Sequence, residues 1–133
     1  MTRRRTALLL ISVAWVCHGV TILHQPGWRD ADEAILFEMW PLWLRIGIWL
    51  VCGLAGIILA AAANHRAEAL GFALAVIPPT LRVVSYGWSV LMWAIPGAPG
   101  GEWASVFYGA YWSAILALIY RLARWPESGR VGA

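Results

Sequence analysis

One arginine in the middle of a long apolar stretch is the residue of this sequence best placed to do chemistry. The stretch runs from residue 69 to residue 95, and Arg82 stands 13 residues from either end. A charged side chain near the centre of a bilayer costs several kcal/mol, and such residues usually serve a function. The position of Arg82 therefore predicts a polar site inside a membrane.

The residues around Arg82 strengthen this prediction. Pro78 and Pro79 lie about one helical turn before it, and Ser85 and Tyr86 follow at i+3 and i+4. The two prolines lack an N–H and so leave backbone carbonyls of the preceding turn without their helical hydrogen bonds. Open carbonyls beside an arginine are typical of the broken helices in transporters and channels. Together these five residues form the candidate intramembrane polar site.

An alternative interpretation places the same arginine nearer to the membrane surface. Residues 69–77 would then form a short half-helix, and the true span would run from Thr80 to Ile95. Arg82 would extend along the helix to reach the headgroups. The length of the stretch and the natural break at the double proline favour this alternative.

The element that carries Arg82 is one of four long apolar stretches. The chain has 133 residues, of which 61% are hydrophobic and 13% charged, and its mean hydropathy is +0.67. A helix of about 20 residues crosses the hydrocarbon core. The sequence predicts one all-α membrane domain over 1–133, with four transmembrane helices in two antiparallel hairpins and the third helix broken at Pro78-Pro79. The predicted helices cover 6–23, 42–63, 69–95 and 103–122, and the tail covers 123–133.

Charge alternates between the gaps that separate these stretches. One set of gaps holds seven of the ten arginines: Arg3, Arg4, Arg5, Arg66, Arg121, Arg124 and Arg130. The other set holds five of the seven acids: Asp30, Asp32, Glu33, Glu38 and Glu102. Arginine-rich loops stay in the cytoplasm. The pattern predicts a bacterial inner-membrane protein with both termini in the cytoplasm and the lipid bilayer as its partner.

Small residues recur at four-residue spacing on two of the helices. Gly56 and Ala60 form one such pair, and Gly109, Ser113 and Ala117 form a longer series. Such faces let helix backbones approach closely. They fit packing within one chain, which we favour, and also fit a homo-oligomer or a larger membrane complex.

No constellation of catalytic residues accompanies these features. The sequence has no nucleotide-binding fingerprint and no Ser–His–Asp order. His24 and the acids of the first long loop would suit a metal, but a solvated acidic loop explains them better. The histidines stand at three different depths and do not suit haem. We predict no enzyme activity, no cofactor, no metal and no nucleic-acid partner.

A resemblance in overall layout points to one class of protein. The segments Pro79-x-x-Arg82-x-x-Ser85-Tyr86-x-Trp88 and Arg124-Trp125-Pro126-Glu127 occur in a lysine-free, tryptophan-rich chain. This resembles the small four-span membrane proteins of actinobacterial phages, several of which are called holins. The resemblance implies membrane permeabilisation during phage lysis. The residues themselves also fit an accessory subunit of a larger membrane complex, or a small oligomeric channel or transporter.

Overall fold

The described part of the chain is built from helices. The computed structural model describes residues 1–24, 40–98 and 101–126. Over these ranges the elements are α1 (Arg3–His24), α2 (Leu42–Ala61), α3 (His65–Ala75), α4 (Ile77–Ala94) and α5 (Ser105–Ala123). The central part of the predicted acidic loop and the last seven residues of the predicted tail lie outside the described residues.

Four helical segments are long and apolar enough to cross a membrane. Three of them are α1, α2 and α5, and the fourth is the 30-residue segment His65–Ala94, which α3 and α4 form together. The segment bends at Val76, and Pro78 and Pro79 lie in the first turn of α4, where a missing N–H is tolerated. The predicted fold class, including the broken third helix, is confirmed.

The third span begins four residues earlier than the hydropathy pattern predicts. Asn64 precedes α3, and its side-chain oxygen accepts a hydrogen bond from the backbone N–H of Ala67 at 2.8 Å. Such a cap satisfies a backbone donor that the first helical turn leaves open. Capping therefore extends the helix over the polar residues His65–Glu68, which a search for apolar stretches leaves out.

The helices form two antiparallel pairs, α1 with α2 and α4 with α5, and α3 packs mainly against α2. The N-terminus of α1 lies beside the C-terminus of α2, because the Nε of Arg5 donates to the carbonyl of Ala60 at 3.0 Å. Arg4 forms an ion pair with Glu68 at 3.2 Å, which joins α1 to α3. These arginines therefore share one end of the bundle, where cations also complement the C-terminal dipole of α2.

Small residues let α1 and α2 pack with their backbones close together. A Cβ atom added at Gly53 would lie 2.8 Å from the carbonyl oxygen of Ser12 and 2.9 Å from the backbone nitrogen of Val16. Gly56 faces the side chain of the same serine. Real Cβ atoms do not approach backbone atoms so closely. This interface therefore depends on the absence of a side chain at Gly53 and Gly56 of α2.

The outer faces of the helices are apolar, whereas α4 buries polar groups. The buried residues of α4 are Pro78, Pro79, Arg82, Ser85, Tyr86 and Ser89. On its opposite side Val84, Trp88 and Leu91 are exposed. A helix in water shows the reverse arrangement. An apolar surface around a polar interior suits hydrocarbon as the surrounding solvent, as expected of an integral membrane protein.

Candidate intramembrane arginine site

Arg82 lies inside the bundle, with 6% of its surface exposed. Its guanidinium carbon stands 5.6 Å from the ring centroid of Trp49 on α2 and 5.8 Å from that of Trp112 on α5. Cations within about 6 Å of an aromatic ring centre are attracted by the electron density of the ring. Two rings from two other helices thus contribute to holding this positive charge.

The contacts of Arg82 place it in the middle part of the helices. At 1.5 Å of rise per residue, Arg82 lies about 18 Å along α4 from Ala94. Trp49 and Trp112 each lie about 10 Å from the nearer end of their own helices. All three residues are therefore well inside their spans. The side chain points towards these ring systems within the bundle, and α3 and α4 together form the apolar segment His65–Ala94, which bends between them.

Aromatic side chains from three helices meet beside the arginine. We call Trp15, His18, Trp49 and Trp112 the aromatic cluster. The rings of Trp15 and Trp49 meet edge to face with centroids 5.2 Å apart, and those of Trp49 and Trp112 are 5.6 Å apart. The His18 ring lies 4.2 Å from that of Trp49. Because α1, α2 and α5 all contribute a ring, this cluster links the two helix pairs.

The carbonyl that Pro79 leaves open has a specific partner. Pro79 has no N–H to donate to Ala75, four residues earlier. The indole Nε1 of Trp15 donates to this carbonyl oxygen at 2.9 Å in a buried position. An unsatisfied carbonyl in hydrocarbon costs several kcal/mol. The broken helix is thus stabilised by a side chain from α1, a partner that the sequence pattern did not indicate.

The other residues of the predicted polar site share the buried face of α4. Pro78, Pro79 and Ser85 are almost completely buried, and Tyr86 is 4% exposed. The Tyr86 ring stacks on that of Tyr108 with centroids 5.4 Å apart. These contacts place Ser85 and Tyr86 where α4 faces the rest of the bundle, on the same side as Arg82.

A second polar contact joins α4 to α5 further along the same face. The hydroxyl of Ser105 donates to that of Ser89 at 2.9 Å in a buried position. The Ser89 hydroxyl also accepts from the backbone N–H of Glu102 at 3.3 Å. Sequence reasoning missed this serine pair, although a serine at i+4 from Ser85 continues the same helix face.

A cavity of about 610 Å³ adjoins Arg82 between α1 and α5. We call it the lateral cavity. Its lining residues are Ala14, Trp15, His18, Arg82, Tyr86, Phe107, Tyr108, Tyr111, Trp112 and Ile115. Its volume is within the range of sites that hold small molecules. The cavity combines one guanidinium and one imidazole with walls that are otherwise mostly aromatic, which suits a ligand with a small polar head and an apolar body.

The predicted packing residues divide into two groups. Gly56 and Ala60 are buried on α2 and face α1. Gly109 lies beside Tyr86, because a Cβ atom added there would stand 3.5 Å from the Cβ of this tyrosine. Ser113 and Ala117 are exposed on α5. The structure thus brings three of the five into contact within the chain and leaves two on the outside.

The aromatic cluster is the main part of this site that sequence reasoning missed. Tryptophan is expected near the headgroups, where its N–H stays wet. Trp15, Trp49 and Trp112 instead fall in the middle of predicted helices. Their position far from the helix ends could have indicated the cluster, because an indole N–H in hydrocarbon needs a hydrogen-bond partner.

The described residues contain no group of three or more His, Cys, Asp or Glu side chains able to hold a metal ion. The chain matches no protein-family model, no curated protein sequence and no solved structure.

Proposed function

We propose that this protein is a small inner-membrane transporter or channel unit that binds an anion at Arg82, with both termini in the cytoplasm. The supporting observation is the buried guanidinium of Arg82, which lies between two tryptophan rings and lines the lateral cavity. Arginine carries a permanent charge and a planar set of N–H donors that match carboxylate or phosphate oxygens. A cation kept at this depth is expected to serve substrate binding.

Anion flux into vesicles tests this proposal. Purified protein is reconstituted into neutral liposomes that contain a dye quenched by iodide. We expect uptake above that of protein-free liposomes, and at least tenfold slower uptake for Arg82→Gln. The matched control is Arg121→Gln, because Arg121 is exposed at the end of α5. Gel filtration verifies that each variant is folded, and equal uptake by Arg82→Gln and wild type would overturn the proposal.

Holin-like membrane permeabilisation is the second candidate, and the exposed side of α5 favours it. The buried residues of α5 are only Ser105, Trp112 and Ile119, a narrow line along the helix. Ser113 and Ala117 are on the exposed surface, where small residues allow a second copy to approach closely. Self-association in the membrane is what permeabilisation of this kind requires.

Induced expression in a bacterium tests this second candidate while membrane potential and propidium entry are followed. Holin-like action predicts abrupt depolarisation after a delay, which Arg82→Gln preserves and Ser113→Leu postpones. Continued growth with abundant protein in the membrane contradicts it. A protein inactive in both assays that co-purifies with a larger complex would instead be an accessory subunit.

A further inference from the structure

We infer that the anion bound at Arg82 is an amphiphilic oxyanion, a carboxylate or phosphate attached to an apolar chain, which enters sideways from the lipid. This inference rests on the proposed function and specifies its substrate class. Two properties of the lateral cavity carry it: the direction in which the cavity opens, and the contrast between its floor and its mouth.

The mouth of the cavity opens on the side of the bundle. Phe107 and Tyr111 on α5 are 65% and 61% exposed, and Ala14 on the facing side of α1 is also exposed. These residues line the same cavity as the buried Arg82. Ala14 and Tyr111 lie away from the ends of two apolar helices that are long enough to cross a membrane, so in a bilayer this part of the opening faces hydrocarbon. A ligand that is already dissolved in the bilayer therefore has the most direct entry.

The floor of the cavity provides the polar contact. It is lined by four residues that are at most 8% exposed: Arg82, Tyr86, Trp15 and Trp112. Among the described residues that line the cavity, Arg82 carries the permanent positive charge. An oxyanion that reaches the guanidinium gains charge-assisted hydrogen bonds. These bonds are strong there because the dielectric constant inside the bundle is lower than that of water.

The walls between mouth and floor select for an apolar body. Tyr108 and Ile115 on α5 present a ring and methyl groups between the mouth and the floor. An apolar chain that comes from the lipid enters such surroundings without contact with water. A small anion such as iodide contacts only the guanidinium at the floor and gains nothing from these walls. A chain-bearing anion matches both parts of the cavity.

Quenching of tryptophan fluorescence tests the inference in neutral lipid vesicles. The probe is stearic acid with a nitroxide near its carboxylate, and the comparison is its uncharged methyl ester. Lipid-facing tryptophans give linear quenching by both compounds. We expect an additional saturable phase with the acid only, reported by Trp15 and Trp112, and at least tenfold weaker binding in Arg82→Gln.

A second pair of variants keeps the test decisive if Arg82→Gln fails to fold. Ala14→Trp places a ring across the mouth at an exposed position, and we expect it to abolish the saturable phase. Ala73→Trp makes the same change at an exposed residue of α3 that does not line the cavity, and it should bind the acid within twofold of wild type. Equal quenching by acid and ester, or unchanged binding in Ala14→Trp, would overturn the inference.

Two further arms identify the source of the anion and separate this inference from the proposed function. If added phosphatidylglycerol displaces the labelled acid, the natural ligand is a membrane phospholipid, and absence of displacement assigns the site to a free single-chain acid. If iodide uptake depends on Arg82 but the acid shows no saturable binding, the inference fails and the proposed function stands. If uptake is also independent of Arg82, both fail.

Discussion

The interface between α1 and α2 and the gap between α1 and α5 lie on two sides of the same helix, yet they are built in opposite ways. On one side Gly53 and Gly56 bring two backbones together until no room remains for a Cβ atom. On the other side Trp15 and Trp112 meet with ring centroids 6.3 Å apart beside a cavity. Small residues close an interface, whereas large rings hold helices apart and leave space for a ligand.

The largest expected effect is the loss of the closed interface. Gly53→Leu drives a side chain into the backbone of α1, and we expect it to destabilise the fold by more than about 3 kcal/mol. The measurement is the fraction folded in an SDS titration of the purified protein. Gly47→Leu is the matched control on the same helix, because nothing lies within 4 Å of a Cβ atom at Gly47. Equal stability of the two variants would show that α1 and α2 do not pack in this way.

An intermediate effect is expected where the aromatic side of α1 supports the broken helix. Trp15→Phe keeps a ring in the cluster but removes the donor to the carbonyl of Ala75. Loss of one partner of a buried hydrogen bond costs about 1–3 kcal/mol. The same SDS titration measures it. Trp88→Phe is the control at an exposed position, and a cost no larger than that of this control would contradict the proposed support.

The smallest effect is expected where α4 meets α5. A Cβ atom at Gly109 would meet Tyr86 at 3.5 Å, which is ordinary contact. Gly109→Ala therefore fits without displacement, and the better helix propensity of alanine should stabilise the protein by up to about 1 kcal/mol. Thermal unfolding in detergent measures the change. A loss of stability comparable to that of Gly53→Leu would mean that the two interfaces do not differ as described.

Much of the fold could be predicted from the sequence because hydropathy and proline act locally. The second helix begins at Leu42 as predicted and ends at Ala61, two residues before the predicted boundary. The double proline marks the broken span, and the bend occurs at Val76, just before it. The start of α3 differed because a cap at Asn64 depends on hydrogen bonding and not on hydropathy.

The site could be predicted only in part, because its parts come from different helices. Arg82, Ser85 and Tyr86 were recognised since they share one face of one helix. Trp49 and Trp112 lie far from Arg82 along the chain. The sequence of one helix does not determine which other helices pack against it. The partner of the Ala75 carbonyl could not be found for the same reason, although the prolines showed that a partner was needed.

The hydrogen bond from Trp15 to Ala75 also has a consequence for the order of synthesis. α1 leaves the ribosome before the segment that contains the prolines, so the indole donor enters the bilayer before the carbonyl that needs it. The carbonyl of Ala75, which the proline leaves without a helical hydrogen bond, therefore has its donor in the membrane when it arrives. A chain without its first helix would insert the same bent segment with the Ala75 carbonyl oxygen lacking a hydrogen-bond donor. Quality-control proteases would then encounter an unsatisfied polar group in the lipid.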